Sequence, residues 1–180
     1  MRYHNFDKIK DVTKLISLKY LFIFAILLYL TFFNKKIFFL VVFEFADFIK
    51  GVVKVKTGYF PVDLVFVFGV TAAYFFSPYV SLIIILLGMV NRMIFGFFQV
   101  RQFTEILRHF IIFFVTYALR NYAFFIVGIS MLALKYLLKI IGVLITRDTS
   151  TLEKLHFYFV NVLCSSVLFY LISFFTFYLG

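Results

Sequence analysis

The stretch that decides the fold is Gly58–Arg92, which reads GYFPVDLVFVFGVTAAYFFSPYVSLIIILLGMVNR. It contains an apolar run at 61–76 and most of a second run at 79–98, and only Ser77 and Pro78 separate them. Serine at the N-cap position followed by proline at the first helical position is typical of a helix start. The sequence therefore predicts two antiparallel helices joined by a tight turn.

Pro61 and Asp63 give the first of these two runs a similar start. Proline lacks an N–H group that a first helical residue would leave unbonded anyway, and a carboxylate near a helix N-terminus faces the positive end of the helix dipole. We therefore expect the first helix to begin at Pro61, with Asp63 in its first turn.

The composition of the whole chain places these helices in a membrane. Of the 180 residues, 64% are hydrophobic and 23% are aromatic, whereas about half of the residues of a soluble domain are apolar. A small domain has too much surface for its volume to bury so many apolar side chains. We therefore expect an integral membrane protein, with the lipid bilayer as its first partner.

Apolar segments along the chain give the predicted number of spans. A bilayer core about 30 Å thick is crossed by about 20 mostly apolar residues in a helix. The candidate spans are 18–33, 37–53, 61–76, 79–98, 104–119, 122–145 and 155–179. The prediction is an all-α, polytopic transmembrane bundle of six or seven spans, forming one membrane-embedded domain from residue 18 to residue 180.

Two points leave the number of spans open. The segment 37–53 is short and acidic, so it is either a span completed by snorkelling lysines or a re-entrant segment. The pair Arg120-Asn121 interrupts an apolar region, and it is either a turn between two spans or a point inside one long helix.

The distribution of basic residues predicts the orientation. Residues 1–17 form a short, basic segment, and with seven spans most lysines and arginines fall on the side of this segment. Cytoplasmic loops of membrane proteins carry such an excess of positive charge. We therefore expect a multi-pass protein of the plasma or inner membrane with a cytoplasmic amino terminus. The net charge of +10 is explained by this orientation, and nucleic acid is not an expected partner.

Asp63 and Arg92 lie at matching depths in the predicted hairpin. Asp63 precedes Ser77 by fourteen positions and Arg92 follows Pro78 by fourteen, and helices rise equally per residue. Either the two side chains form an ion pair, which would offset the cost of a charge in the membrane, or Asp63 caps its helix while Arg92 snorkels to lipid headgroups.

Glu44 and Asp47 are three residues apart and therefore share a helix face. Two carboxylates in an apolar segment suggest an ion or proton site, or a contact with a cationic ligand. The alternative is an ordinary ion pair between Asp47 and Lys50, one turn further along the helix.

Small residues flank the hairpin charges. Gly88 and Gly96 lie four positions before and after Arg92 on one helix face, with Asn91 beside it. One interpretation is close helix packing, to which Gly69 and Ala73 on the preceding helix would contribute. The other is a cleft with one guanidinium for an anionic ligand or lipid headgroup.

Polar residues near the carboxyl terminus have simpler interpretations. Lys135 and Lys139, one turn apart, would bind anionic lipid at a membrane interface. Asn161 and Ser165 would form interhelical hydrogen bonds.

Catalytic and metal-binding motifs are missing from the sequence. The single Cys164 excludes an internal disulfide framework, and the histidines at 4, 109 and 156 match no ligand spacing. The familiar hydrolase, metalloprotease and nucleotide-binding motifs do not occur. We therefore expect a protein that is not an enzyme, with no cofactor and no metal.

The segments GYFPVDLVFVFG (58–69) and SPYVSLIIILLGMVNR (77–92) resemble the S components of energy-coupling-factor transporters and the MreD-like small polytopic membrane proteins. The resemblance covers about residues 58–98. It implies a bundle of about six helices that binds a small ligand or lipid in a transport role. The alternative is a structural or assembly subunit of a larger membrane complex, for which the charged end of the hairpin would be the docking surface.

Overall fold

The computed structural model describes residues 34–97, 102–146 and 155–175. The segment 1–17 and the first predicted span, 18–33, lie outside them. In the described part all regular structure is helical: α1 Lys35–Thr57, α2 Leu64–Phe75, α3 Pro78–Ile94, α4 Gln102–Ala118, α5 Phe124–Thr146 and α6 Leu155–Phe174. The prediction of an all-α protein is thus confirmed for these residues. The chain divides into two compact units, Met1–Val42 and Phe43–Gly180, and all contacts given below lie within the second.

The structure gives the backbone of the two segments that left the number of spans open. Helix α1 runs without interruption from Lys35 to Thr57, which gives it a length of about 35 Å. The residues Arg120 and Asn121 form a turn between α4 and α5, in which the Tyr122 N–H donates to the carbonyl oxygen of Leu119 at 3.0 Å.

Helix α2 lies at the centre of the second unit. It is apolar on all sides, nine of its twelve residues are buried, and it packs against α3, α4, α5 and α6. A helix that is apolar all round must be buried to be stable. Its twelve residues measure about 18 Å, which is too short to cross a bilayer core about 30 Å thick. The predicted span 61–76 is therefore a core helix of less than full spanning length.

The start of α2 differs from the prediction by three residues. The helix begins at Leu64 rather than Pro61, and Asp63 is its N-cap. The Asp63 Oδ1 accepts a hydrogen bond from the Phe66 N–H at 3.4 Å. The carboxylate thus bonds to one of the N–H groups that a helix start leaves without a partner.

Helices α2 and α3 form the predicted antiparallel hairpin. The Ser81 hydroxyl donates to the Gly69 carbonyl oxygen at 2.7 Å, and at the other end of the hairpin Gly88 packs against the Val65 side chain. Ser77 occupies the N-cap position of α3 with extended backbone, but its side chain makes no capping hydrogen bond. The turn therefore depends on the backbone and on Pro78.

The small residues that were expected to pack between helices have two different roles. Gly69 contacts the Phe113 ring of α4, and Ala73 is fully buried. Gly96 instead lies beyond the end of α3 with φ +70°, and a β-carbon there would meet no atom of the described part of the chain within 4 Å. A left-handed glycine just after a helix is typical of a helix end. Gly96 therefore terminates α3 and is not a packing residue.

Two described helices are long and apolar enough to cross a membrane, at Phe124–Gly142 in α5 and Phe157–Phe174 in α6. Only 28% and 11% of these two segments are buried, so they are not core helices of the usual soluble kind. They pack against each other, with the Phe169 ring on Gly128. Their exposed apolar side chains favour association with a membrane.

Candidate functional site

A cavity of about 220 Å³ lies near the end of the α2–α3 hairpin. Its polar lining residues are Asp47, Lys50, Lys54, Asp63, Asn91, Arg92, Glu105 and Asn161. They come from α1, α3, α4 and α6 and from the segment before α2. The structure thus brings together Asp47, Asp63, Asn91 and Arg92, four of the five residues that the sequence suggested for ligand or ion binding.

Asp47 and Asn91 form the buried wall of this cavity. The two residues are 3% and 2% exposed. The Asp47 Oδ1 lies 2.8 Å from the Lys50 Nζ, and its Oδ2 accepts a hydrogen bond from the Asn91 Nδ2 at 3.1 Å. Both carboxylate oxygens therefore have a donor, and the amide connects α1 to α3. The ion pair between Asp47 and Lys50 was the simpler of the two interpretations of Asp47.

Glu44, the fifth suggested residue, lies one turn before Asp47 and is not part of the cavity lining. Its side chain interacts with Asn91, and its Oε2 is buried without a hydrogen-bond partner in the described part of the chain. Asn91 is thus shared between the two acidic residues of α1.

Asp63 pairs with a lysine that the sequence analysis did not connect with it. The Lys135 Nζ lies 2.7 Å from the Asp63 Oδ2, and the His109 Nε2 lies 3.9 Å from the same oxygen. The suggested pair of Asp63 with Arg92 is not formed. The Arg92 Nη1 lies 3.9 Å from the Glu105 Oε2 instead. Asp63 and Arg92 do share the cavity, as their matching depth in the hairpin suggested.

Lys135 has a buried environment that a lipid-binding residue would not have. Its side chain is only 14% exposed, and its Nζ lies 4.4 Å from the centre of the Phe66 ring. The expected role of Lys135 in binding anionic lipid is therefore corrected to an ion pair inside the bundle. Lys139, one turn further, lies 3.8 Å above the Tyr158 ring.

His109 is a buried neighbour of the Asp63 carboxylate. It is 4% exposed and stacks on the Phe113 ring, with the two rings nearly parallel at 5.8 Å. In the described residues no three histidine, cysteine or acidic side chains are grouped as a metal ion would need. The histidine thus lies beside the ion pair of Asp63 and Lys135, at 3.9 Å from the carboxylate.

Asn161 links α5 and α6 beside the cavity. The Tyr136 hydroxyl donates to the Asn161 Oδ1 at 2.7 Å, and the Ser165 hydroxyl lies 3.4 Å from the same oxygen. The expected interhelical hydrogen bond is thus found for Asn161, whereas the bond of Ser165 stays within α6.

Lys54 lies beyond the predicted span 37–53 and faces the cavity without a carboxylate at ion-pair distance in the described residues. Its Nζ lies 4.4 Å from the centre of the Phe97 ring. Lys50 and Arg92 line the same cavity, so a negative group placed beside Lys54 would also be near these two positive charges.

Comparisons of the sequence and of the fold with known proteins found no match. The sequence matches no known protein family. It matches no curated protein, and no solved structure matches its fold.

Proposed function

We propose that this chain is a multi-pass membrane protein that binds a small ligand or lipid in the cavity between α1, α3, α4 and α6, and that it does not catalyse a reaction. The polar cavity inside an apolar helical protein carries the proposal. Ionisable side chains are costly in a membrane protein unless they face a cavity or a partner, and they mark ligand or ion sites.

The exposed apolar surface of the described helices supports the membrane part of this proposal. α5 and α6 present large apolar side chains outward, among them Ile126, Leu163 and Val167, which are each more than half exposed. We place the amino terminus in the cytoplasm and further crossings at α1, α3 and α4, with α2 and the segment 58–63 before it returning the chain across the bilayer between α1 and α3. With seven crossings the basic residues gather on one side. A transport role like that of the S components fits this arrangement.

The volume of the cavity limits the size of the ligand that can bind in it. Pockets for drug-sized molecules measure about 300–1,000 Å³, and this cavity measures about 220 Å³. The proposed occupant is therefore a small polar molecule or the headgroup of a lipid whose chains lie outside the cavity.

Native mass spectrometry of the full-length chain in a mild detergent tests the proposal. We expect a bound molecule of low mass to copurify. The Val62→Phe variant, which adds a ring to the cavity lining, should lose this molecule. The Val90→Phe variant adds the same ring at an exposed position of α3 and should retain it.

Other results would contradict this function. A chain that carries no small molecule but copurifies with a second membrane protein would favour a structural or assembly subunit. Equal retention of the bound molecule by both variants would exclude the cavity as its site.

A further inference from the structure

The three acidic side chains of the cavity lining face four basic ones when Lys135, which pairs with Asp63 from outside the lining, is counted. Asp47 pairs with Lys50 at 2.8 Å, and Asp63 pairs with Lys135 at 2.7 Å. Glu105 has Arg92 at 3.9 Å. Each acidic residue of the lining thus has its own cation, and Lys54 is left over.

Arg92 contributes donors to the same space. Its side chain is only 22% exposed, yet within the described residues its guanidinium has no acceptor at hydrogen-bond distance, because 3.9 Å to Glu105 exceeds the usual limit of about 3.2 Å. A guanidinium carries five N–H donors in a planar fork that matches the oxygens of a phosphate or carboxylate. Arg92 is therefore positioned to bind an oxyanion.

A cation is the competing occupant, and the acidic residues of the cavity do not favour it. Both oxygens of Asp47 already accept from Lys50 and Asn91. Asp63 is bonded to Lys135 and to its own helix start. A cation at either carboxylate would have to displace one of these partners. An anion would displace no carboxylate from Lys54, and at Arg92 it would compete only with the long contact to Glu105 at 3.9 Å.

Apolar side chains form the remaining walls. Phe60, Val62, Phe95 and Phe97 line the cavity together with the charged residues, and the outward-facing Met93 and Ile94 follow on α3. An occupant with one charged end and an apolar remainder would match both kinds of surface.

We infer that the cavity binds an oxyanion, a phosphate or carboxylate group, between the guanidinium of Arg92 and the ammonium group of Lys54. This inference rests on the proposed function and adds the chemical class of the ligand. The oxyanion belongs either to the headgroup of a lipid or to a free small molecule, and both present the same oxygens to the two cations.

The test is a titration of the purified full-length chain in detergent, followed by native mass spectrometry. The probes are dioleoyl phosphatidic acid and dioleoylglycerol, which differ only in the phosphate group. We expect the phosphatidic acid to bind more tightly. Because hydrogen bonds to charged groups contribute about 1.5–3 kcal/mol, each of Lys54→Gln and Arg92→Gln should weaken its binding by about tenfold or more.

Two control variants test whether the loss of any positive charge, rather than of Lys54 or Arg92, weakens the binding of phosphatidic acid. Lys56→Gln removes an exposed lysine two residues from Lys54, and Arg120→Gln removes an exposed arginine of the α4–α5 turn. Both should bind phosphatidic acid like the wild type. Lys54→Gln removes no partner of a carboxylate, so its fold should persist even if Arg92→Gln proves unstable.

Competition with glycerol 3-phosphate distinguishes the two sources of the anion. Displacement of the lipid by this soluble phosphate supports a free small anion as the occupant, and a failure to displace it supports a lipid headgroup.

Two outcomes overturn the inference. Equal binding of both lipids, or unchanged binding by Lys54→Gln and Arg92→Gln, excludes the oxyanion site. In that case binding of dioleoylglycerol that Val62→Phe abolishes would leave the proposed function intact. If the wild-type chain binds neither lipid and copurifies with no small molecule, the proposed function itself fails.

Discussion

The carboxylate of Asp63, at the start of α2, lies 2.7 Å from the ammonium nitrogen of Lys135, in the middle of α5 and 72 residues further along the chain. Neither side chain is more than 18% exposed. The pair therefore joins the central helix to one of the two helices that are long and apolar enough to cross a membrane.

Removal of one member of this pair should cost more stability than removal of both. Lys135→Gln leaves Asp63 charged and buried, and breaking a buried pair in this way costs about 3–5 kcal/mol. Asparagine caps a helix about as well as aspartate, so the double variant Asp63→Asn/Lys135→Gln should recover a large part of the loss. Thermal unfolding in detergent, arranged as a double-mutant cycle, measures the coupling.

The same cycle with Arg92 in place of Lys135 provides the comparison. Asp63→Asn and Arg92→Gln should combine almost additively, because these side chains share the cavity without an ion pair. A stronger coupling of Asp63 to Arg92 than to Lys135 would contradict the structure.

Asn91→Leu should destabilise the protein by about 1–3 kcal/mol. Leucine has a similar volume but cannot donate to Asp47, and a buried carboxylate oxygen without its donor pays the cost of desolvation. Asn121, which is exposed in the α4–α5 turn, is the matched control, and Asn121→Leu should change the melting temperature little. Equal effects of the two substitutions would show that the bond between Asn91 and Asp47 adds nothing to stability.

Gly69→Ala and Gly142→Ala should change stability in opposite directions. A methyl group at Gly69 would collide with the buried Phe113 ring, and overpacking of this kind costs about 1–3 kcal/mol. At Gly142 a methyl group meets no atom of the described residues within 4 Å, and alanine is favoured over glycine inside a helix by about 1 kcal/mol. A destabilised Gly142→Ala variant would point to a partner for that face of α5. Thermal unfolding of both variants in the same detergent gives the comparison.

The hairpin and the pair of Asp47 with Lys50 could be predicted because their signals are local. Serine followed by proline between two apolar runs marks a helix start, and an acid three residues before a lysine shares its helix face. The partner of Asp63 could not be predicted in this way. Residue spacing gives the depth of a side chain along a helix, but it does not tell which helix is the neighbour. Asp63 and Arg92 match in depth, and yet Lys135 on α5 lies closer.

Gly96 shows a second limit of the sequence. Its spacing of four residues from Arg92 suggested a shared helix face, but that spacing has meaning only if the helix continues through Gly96. The helix ends at Ile94, and the positive φ of Gly96 is part of that ending. The end of a helix is hard to predict in an apolar sequence, because the residues before and after the end are equally hydrophobic.

Leu163→Arg tests whether α6 crosses a membrane. Leu163 lies near the middle of α6 and is 51% exposed, and arginine at the centre of a spanning helix costs about 2.5–3.5 kcal/mol on insertion scales. Phe174→Arg is the matched control, because Phe174 is 63% exposed at the end of the same helix, where a long basic side chain reaches the interface. We expect the Leu163→Arg chain to fall well below the wild-type level in the carbonate-resistant membrane fraction, because a poorly inserted α6 would destabilise the bundle, and the Phe174→Arg chain to stay at the wild-type level. If both chains stay in that fraction at wild-type levels, α6 does not face lipid at Leu163. Wild-type protein that is extracted by carbonate would exclude a spanning helix altogether.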